Sequence, residues 1–188
     1  MITLFLFDFF FRENFYFLLI AKWFFFRHNL NREPMKFYML AGLPGSGKST
    51  TAKRLKEEEN CFIISSDNFR LALNSGIYPK GDCYELLDPV VWELVERSIL
   101  KLLEKGQLVG VDATNLDRDA RHRWVKLVKD FNPEAEIILL WHTHNYDTPQ
   151  RWERERGHNL KEYTSIRKTL EQRVEAPSEE EGFKIVYC

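Results

Sequence analysis

The chain has 188 residues, 44% hydrophobic and 29% charged, with a formal net charge of −1. That length suffices for one α/β domain with a proper core, and the near-neutral balance excludes a global pull toward nucleic acid or anionic lipid, so any such site must be local. Cys61, Cys83 and Cys188 lie far apart without CxxC spacing, which argues against a disulfide or zinc framework and for free thiols in a reducing, cytoplasmic compartment.

Residues 1–34 differ from the rest. Ten of the 15 phenylalanines fall between Phe5 and Phe26. Asp8, Arg12, Glu13 and Lys22 break every apolar run short of the roughly 18 residues a membrane span needs. The charge and cleavage pattern of a secretory signal is missing. One reading is a membrane-surface helix. The stronger one starts from Met35, which opens Met-Lys-Phe-Tyr-Met-Leu-Ala-Gly directly on a strand. Residues 1–34 are then upstream sequence from a misplaced start, outside the fold; residues 35–188 form the domain, and no membrane association is expected.

From Met35 onward strand and helix signals alternate, which predicts a parallel sheet with helices on its faces. Lys36–Ala41 reads as the first strand and Lys48–Glu59 as an amphipathic helix with Ala52 and Leu55 on one face. Cys61–Ser65 is the second strand. Residues 84–105 carry a helical stripe of Leu86, Val90, Leu94, Val95, Ile99, Leu102 and Leu103, read as core and stopped by Gly106. Gln107–Asp112 is the third strand. Asp117 caps a helix running to Phe131, ended by Asn132-Pro133. Ala135–Trp141 is a continuous apolar run, hence a buried fourth strand. Helices over 148–156 and 160–174 and a closing strand over Phe183–Tyr187 follow.

Gly42-Leu43-Pro44-Gly45-Ser46-Gly47-Lys48-Ser49 fits G-x-x-x-x-G-K-[ST] between a strand and a helix, with Thr50 next in the helix. Gly42, Gly45 and Gly47 let the backbone turn and bring amide N–H groups against phosphate oxygens. Pro44 and Ser46 complete the loop. Lys48 reaches β- and γ-phosphates, the Ser49 hydroxyl suits Mg²⁺, and the helix start adds its positive dipole end. ATP and Mg²⁺ are the implied ligands.

Asp67 follows the second strand in Ser65-Ser66-Asp67-Asn68-Phe69-Arg70. Ligands of open α/β sheets sit beyond the carboxyl ends of strands, so Asp67 shares a rim with the phosphate loop. It reads either as the base that takes a proton from an attacking hydroxyl or as a helix cap. Arg70, one turn on, can hold an acidic group of the acceptor. Asp112 ends the third strand and reads as a Mg²⁺ ligand rather than a strand-end cap. Arg151, Arg154 and Arg156 precede Gly157. Arginines on a mobile lid can neutralise the transferring phosphoryl, with Arg154 the catalytic candidate and Arg151 a nucleotide-binding one; alternatively they pair with Glu153 and Glu155 on a solvated helix.

GLPGSGKST, DNFR, VDATNL, an arginine-rich segment and PSEEEGF together resemble the polynucleotide-kinase and zeta-toxin-like branch of P-loop kinases, from Lys36 to Val186. The resemblance implies a three-layer α/β/α fold whose five-stranded parallel sheet has its second and third strands to one side of the first. It implies ATP-dependent transfer of the γ-phosphoryl group to a hydroxyl, with Asp67 as general base and an arginine-bearing lid. It also places Asn115 at the rim, where it positions nucleotide or acceptor. A polynucleotide 5′-hydroxyl is the first acceptor to test, followed by small-molecule hydroxyls. A nucleotide-binding module without an acceptor stays open as a different class. Relatives tend to read R-N-x-x-R in the lid, whereas this chain has Arg151-Trp152-Glu153-Arg154-Glu155-Arg156.

Three signals are set aside. Arg118, Arg121, His122, Arg123, Lys126 and Lys129 make one helix basic, but Trp124, Leu127 and Val128 give it a core face, so the charges read as solvated. His142 and His144 lack the further ligands a metal needs. Glu179-Glu180-Glu181 reads as a solvated turn.

Overall fold

Strand β1 (Lys36–Ala41) is apolar at almost every position and lies in the middle of the sheet. The computed structural model describes residues 34–144, 153, 154, 157 and 159–188, and Met35–Cys188 makes one compact unit. The expectation for residues 1–33, most of the expected helix 148–156, and Arg151 and Arg156 lie outside the described residues. After β1 come α1 (Lys48–Glu59), β2 (Phe62–Ser65), α2 (Ser66–Leu73), α3 (Asp82–Glu104), β3 (Val109–Asp112), α4 (Arg118–Phe131), β4 (Glu136–Trp141), α5 (Leu160–Gln172), a 3₁₀ turn at Glu179–Glu181 and β5 (Lys184–Tyr187).

The sheet runs β2-β3-β1-β4-β5 with every pairing parallel. Side chains alternate across it. Phe37, Met39 and Ala41 face Val91, Val95 and Ile99 of α3 and Trp124 and Val128 of α4. Tyr38 and Leu40 face Leu55 of α1. Helices therefore cover both faces, which is the expected three-layer arrangement, with β2 and β3 on one side of β1.

Two sequence expectations need correction. The buried stripe of α3 is Val91, Val95, Ile99 and Leu103, whereas Leu86 and Val90 are 75% and 44% exposed. The reason is helical phase: at roughly 100° per residue, Leu86 stands about 140° and Val90 about 100° round the helix from Val91. At 23 residues the helix is roughly 34 Å long, while the strands it covers reach only about 13–20 Å. Its first turns overhang the carboxyl edge of the sheet, beside the site.

The second correction concerns Arg121 and Glu181, both read as solvated. Arg121 is fully buried and meets Glu181 through two bonds, Nε to Oε2 at 2.8 Å and Nη2 to Oε1 at 2.9 Å. Its Nη1 donates to the carbonyls of Leu116 at 2.9 Å and Glu175 at 3.1 Å. Three other cations of α4 also have partners: Arg123 pairs with Glu96, Lys126 with Asp130, and Lys129 donates to the carbonyls of Pro133 and Ala135. Among the described residues no helix is long and apolar enough to cross a membrane.

Candidate active site

The loop between β1 and α1 closes on itself. Lys48 Nζ donates to the carbonyls of Gly42 at 2.8 Å and Leu43 at 2.9 Å, and Ser46 N donates to Leu43 O at 3.1 Å. Gly47 caps α1 from a positive φ of 102° with no side-chain cap bond, and the first turn carries no acidic residue. The first amides of α1, with exposed Ser49 and Thr50, are thus left with the positive end of the helix unopposed.

Gly42 holds a φ of 143°, and a Cβ there would stand 2.7 Å from both the His142 carbonyl and Ser46 Oγ. Gly42→Ala is expected to destabilise the protein by about 1–3 kcal/mol and to weaken ATP binding, as read by thermal unfolding with and without nucleotide. Pro44 is buried, and its carbonyl accepts from Arg167 Nη1 of α5 at 3.4 Å. Gly45 has a φ of 78°.

His142, immediately past β4, braces the loop from behind. Its Nδ1 lies 3.2 Å from Ala41 O and 3.0 Å from Leu140 O, so the proton sits there. Nε2, 2.9 Å from Thr51 Oγ1, then accepts from that hydroxyl. Burial first, then the charges of Lys48 and Arg54, lowers the histidine pKa against the raising effect of the two carbonyls, so the ring is neutral near pH 7.

Strand register sets the rim: Leu40, Asp112 and Ser65 stand side by side on β1, β3 and β2. Asp67 lies two residues beyond Ser65. Ser65, not Asp67, caps α2, and without a side-chain bond. The Asp67 carboxylate instead accepts through Oδ1 from Arg70 Nη1 and from the Tyr78 hydroxyl, both at 3.1 Å. Arg70 is only 4% exposed. It also pairs with Asp88 of α3 and lies 5.0 Å from the Tyr84 ring and 5.4 Å from the Trp92 ring, and its Nε has no partner among the described residues. Burial alone would lower the Arg70 pKa, but the Asp88 bond and the surrounding negative groups outweigh it and hold the guanidinium charged. Arg70 therefore turns toward the carboxylates beside it.

Asn115 stands behind the rim. From a positive φ of 46° it donates to Leu40 O at 2.7 Å and accepts from Trp124 Nε1 at 2.8 Å, with 3% of its surface exposed. Beside it Gly42 N donates to Thr114 O at 2.9 Å. Asn115 thus ties the end of β1 to α4. Arg154 is described and exposed.

Lys48, Ser49, Asp67, Arg70 and Asp112 line one cleft of ≈ 1200 Å³. The donor set fits a nucleotide phosphate: helix-start amides, a lysine and no competing cap. The oxygen pair Ser49 and Asp112, on the same cleft, fits Mg²⁺. Sequence reasoning missed Tyr78, Asp88, His142 and Arg167; only His142 carried a signal, its place directly after a buried strand.

The profile of the AAA domain family matches residues 38–177. The chain belongs to that family. The phosphate loop at its β1–α1 turn is consistent with a P-loop kinase domain of the polynucleotide-kinase and zeta-toxin-like kind. A search of curated proteins returns no match. Among solved structures, a candidate kinase from Chloroflexus aurantiacus J-10-fl is similar in fold, with a TM-score of 0.61 and 14% identity over 84% of this chain and 86% of that one. A sugar kinase from Janibacter sp. HTCC2649 gives a TM-score of 0.52 and 17% identity over 82% and 85%. A chain of the Pnkp1/Rnl/Hen1 RNA repair complex gives a TM-score of 0.58 and 26% identity over 76% of this chain; this chain spans 46% of that one. Family and fold together support ATP-dependent phosphotransfer of the P-loop kinase type.

Lys48→Ala removes the ammonium group from this family member's loop. ATP affinity is expected to fall roughly tenfold to a hundredfold, the worth of charge-assisted bonds to a phosphate, in a calorimetric titration.

Proposed function

We propose that the chain is a kinase that transfers the γ-phosphoryl group of ATP to the 5′-hydroxyl of a polynucleotide. The observation that carries the reading is the shared cleft, lined both by phosphate-loop residues and by Asp67, whose Oδ1 accepts from Arg70 and Tyr78. A volume of ≈ 1200 Å³ exceeds the about 300–1,000 Å³ of a site for one small ligand, so two substrates can meet there. The 26% identity with a chain of an RNA repair complex favours a nucleic-acid acceptor over a small alcohol.

In this reading the loop amides and Lys48 bind the ATP phosphates. Ser49 and Asp112 would hold Mg²⁺, which would supply charge neutralisation for the phosphates. Asp67 takes the proton of the acceptor hydroxyl as its oxygen bonds to the γ-phosphorus; the bond to the β-phosphate bridging oxygen breaks, leaving ADP and a phosphomonoester. Arg70 keeps Asp67 in place, and lid arginines, Arg154 and Arg151 first, neutralise charge on the transferred group. The folded kinase domain is residues 35–188, in the cytoplasm.

The test offers γ-labelled ATP and Mg²⁺ to the full chain with a 5′-hydroxyl oligonucleotide, its 5′-phosphorylated twin, a panel of sugars and small alcohols, or no acceptor. Label on the 5′-hydroxyl strand alone supports the proposal. Label on a small molecule moves the acceptor to that class, and ATP hydrolysis without transfer returns the chain to the nucleotide-binding modules.

A further inference from the structure

The segment between α2 and α3, residues 74–81, carries no recognisable motif, yet Tyr78, Pro79, Lys80 and Gly81 line the cleft. Its start is built as a turn. Gly76 N donates to Leu71 O at 2.7 Å, Ile77 N to Asn74 O at 2.9 Å, and the Asn74 side-chain amide donates back to Ile77 O at 2.8 Å. Ser75 and Gly76 hold positive φ values of 52° and 83°, which reverses the chain and presents Tyr78 to the cleft. Past Tyr78, Pro79 is buried and fixes its own backbone angle. Lys80 Nζ then donates to Gly157 O and pairs with Glu162 of α5 at 3.3 Å. The segment is held at both ends.

Tyr78 is held from the side as well. Its ring lies 6.4 Å from that of Tyr84, tilted by 34°, within the range of favourable aromatic pairs. Tyr84 itself is anchored, with Arg70 5.0 Å from its ring. The hydroxyl of Tyr78 therefore arrives at Asp67 Oδ1, 3.1 Å away, on a ring with little freedom to swing.

We infer that Tyr78 is a positioning residue for Asp67. A carboxylate on a two-bond stem rotates unless its oxygens are fixed, and an in-line proton acceptor must keep one rotation. Arg70 Nη1 and Tyr78 Oη donate to the same oxygen from different elements, α2 and the 74–81 segment. Two donors on one oxygen fix the carboxylate plane where one would leave it a hinge. Tyr78 acts through Asp67 and does not itself exchange a proton with the acceptor.

The inference rests on Asp67 as the general base, and the experiment separates the two. Full-chain Tyr78→Phe keeps the ring and deletes only the hydroxyl. Its kcat for label transfer to the 5′-hydroxyl oligonucleotide is expected to fall about tenfold, the worth of one bond to a charged group, with KM for ATP unchanged. In an Asp67→Asn background the same change is expected to cost nothing further, because no base remains to be positioned. A merely structural role would lower the rate equally in both backgrounds, and that result, or an unchanged kcat in the single variant, overturns the role of Tyr78. Asp67→Asn with full activity overturns the general-base reading instead, and the inference with it. If the wild type labels no oligonucleotide, the four proteins are compared by ATP hydrolysis, where water takes the acceptor's place and the same outcomes apply.

Discussion

Asp67→Asn is expected to cut phosphoryl transfer by roughly a hundredfold to ten-thousandfold, the range of a lost acid–base group, while ATP affinity stays near that of the wild type. Asparagine keeps the shape of aspartate, and its carbonyl oxygen can still accept from Tyr78 Oη and Arg70 Nη1, which both donate to the carboxylate. What it cannot do is take a proton. The buried guanidinium of Arg70 retains Asp88, which Trp92 Nε1 orients through a bond of 3.0 Å to Oδ2, so the fold should survive the loss of one neighbouring charge. In the proposed reading the ATP phosphates meet the loop of residues 42–49, on a different element, and a titration with nucleotide should report no more than a small change. Single-turnover transfer from labelled ATP separates the two quantities. Unchanged transfer would remove Asp67 from the chemistry. A parallel collapse of ATP binding would mean that the substitution acts through the fold.

The parts of this site legible in the sequence are those whose chemistry is local. An apolar run ended by glycine, followed by G-K-S and a helical stretch, fixes β1 and α1 to the residue: Lys36–Ala41 and Lys48–Glu59 in both readings. Asp117 as cap of α4 is equally local, and its carboxylate accepts from Ala120 N at 2.8 Å. Legibility ends where a side chain's partner is far along the chain. Arg121 and Glu181 are 60 residues apart, each within a run of like charges, and nothing local distinguishes the buried member from its solvated neighbours. The face of α3 fails for a related reason. Apolar residues lie on more than one face of this helix, so Leu86 and Val90 read as core although the buried line is Val91, Val95, Ile99 and Leu103. Tyr78 was invisible because its role depends on a turn that brings it 11 residues back to Asp67. Asn115 shows the same limit: its amide meets Leu40 O and Trp124 Nε1, partners that the motif does not name.

Glu181→Ala should be the most damaging single change away from the cleft. It leaves Arg121, which is fully buried, without its bidentate carboxylate, and breaking a buried pair from one side costs about 3–5 kcal/mol. For a chain of this size the melting temperature should drop by roughly 6–20 °C. The effect should reach the site, because Arg121 Nη1 holds the carbonyl of Leu116 and the Thr114 carbonyl, two residues earlier, receives Gly42 N; ATP affinity should fall in the same variant. Exchanging both partners, Arg121→Met with Glu181→Leu, removes the stranded charge and should recover part of the loss. Full recovery is not expected, since the Leu116 and Glu175 carbonyls lose their donor. The pair also has a pH signature. Burial would raise the Glu181 pKa, but the Arg121 bonds and the Ser178 amide outweigh it and hold the carboxyl below its ordinary value. A depressed folded pKa gives stability that is present above the unfolded value of about 4.3 and is lost as pH falls through the folded one. Wild-type protein should therefore lose this contribution only in acid, and unfolding free energy plotted against pH should be less steep there for Glu181→Ala. Parallel curves would mean that the Arg121 charge is met by some other group.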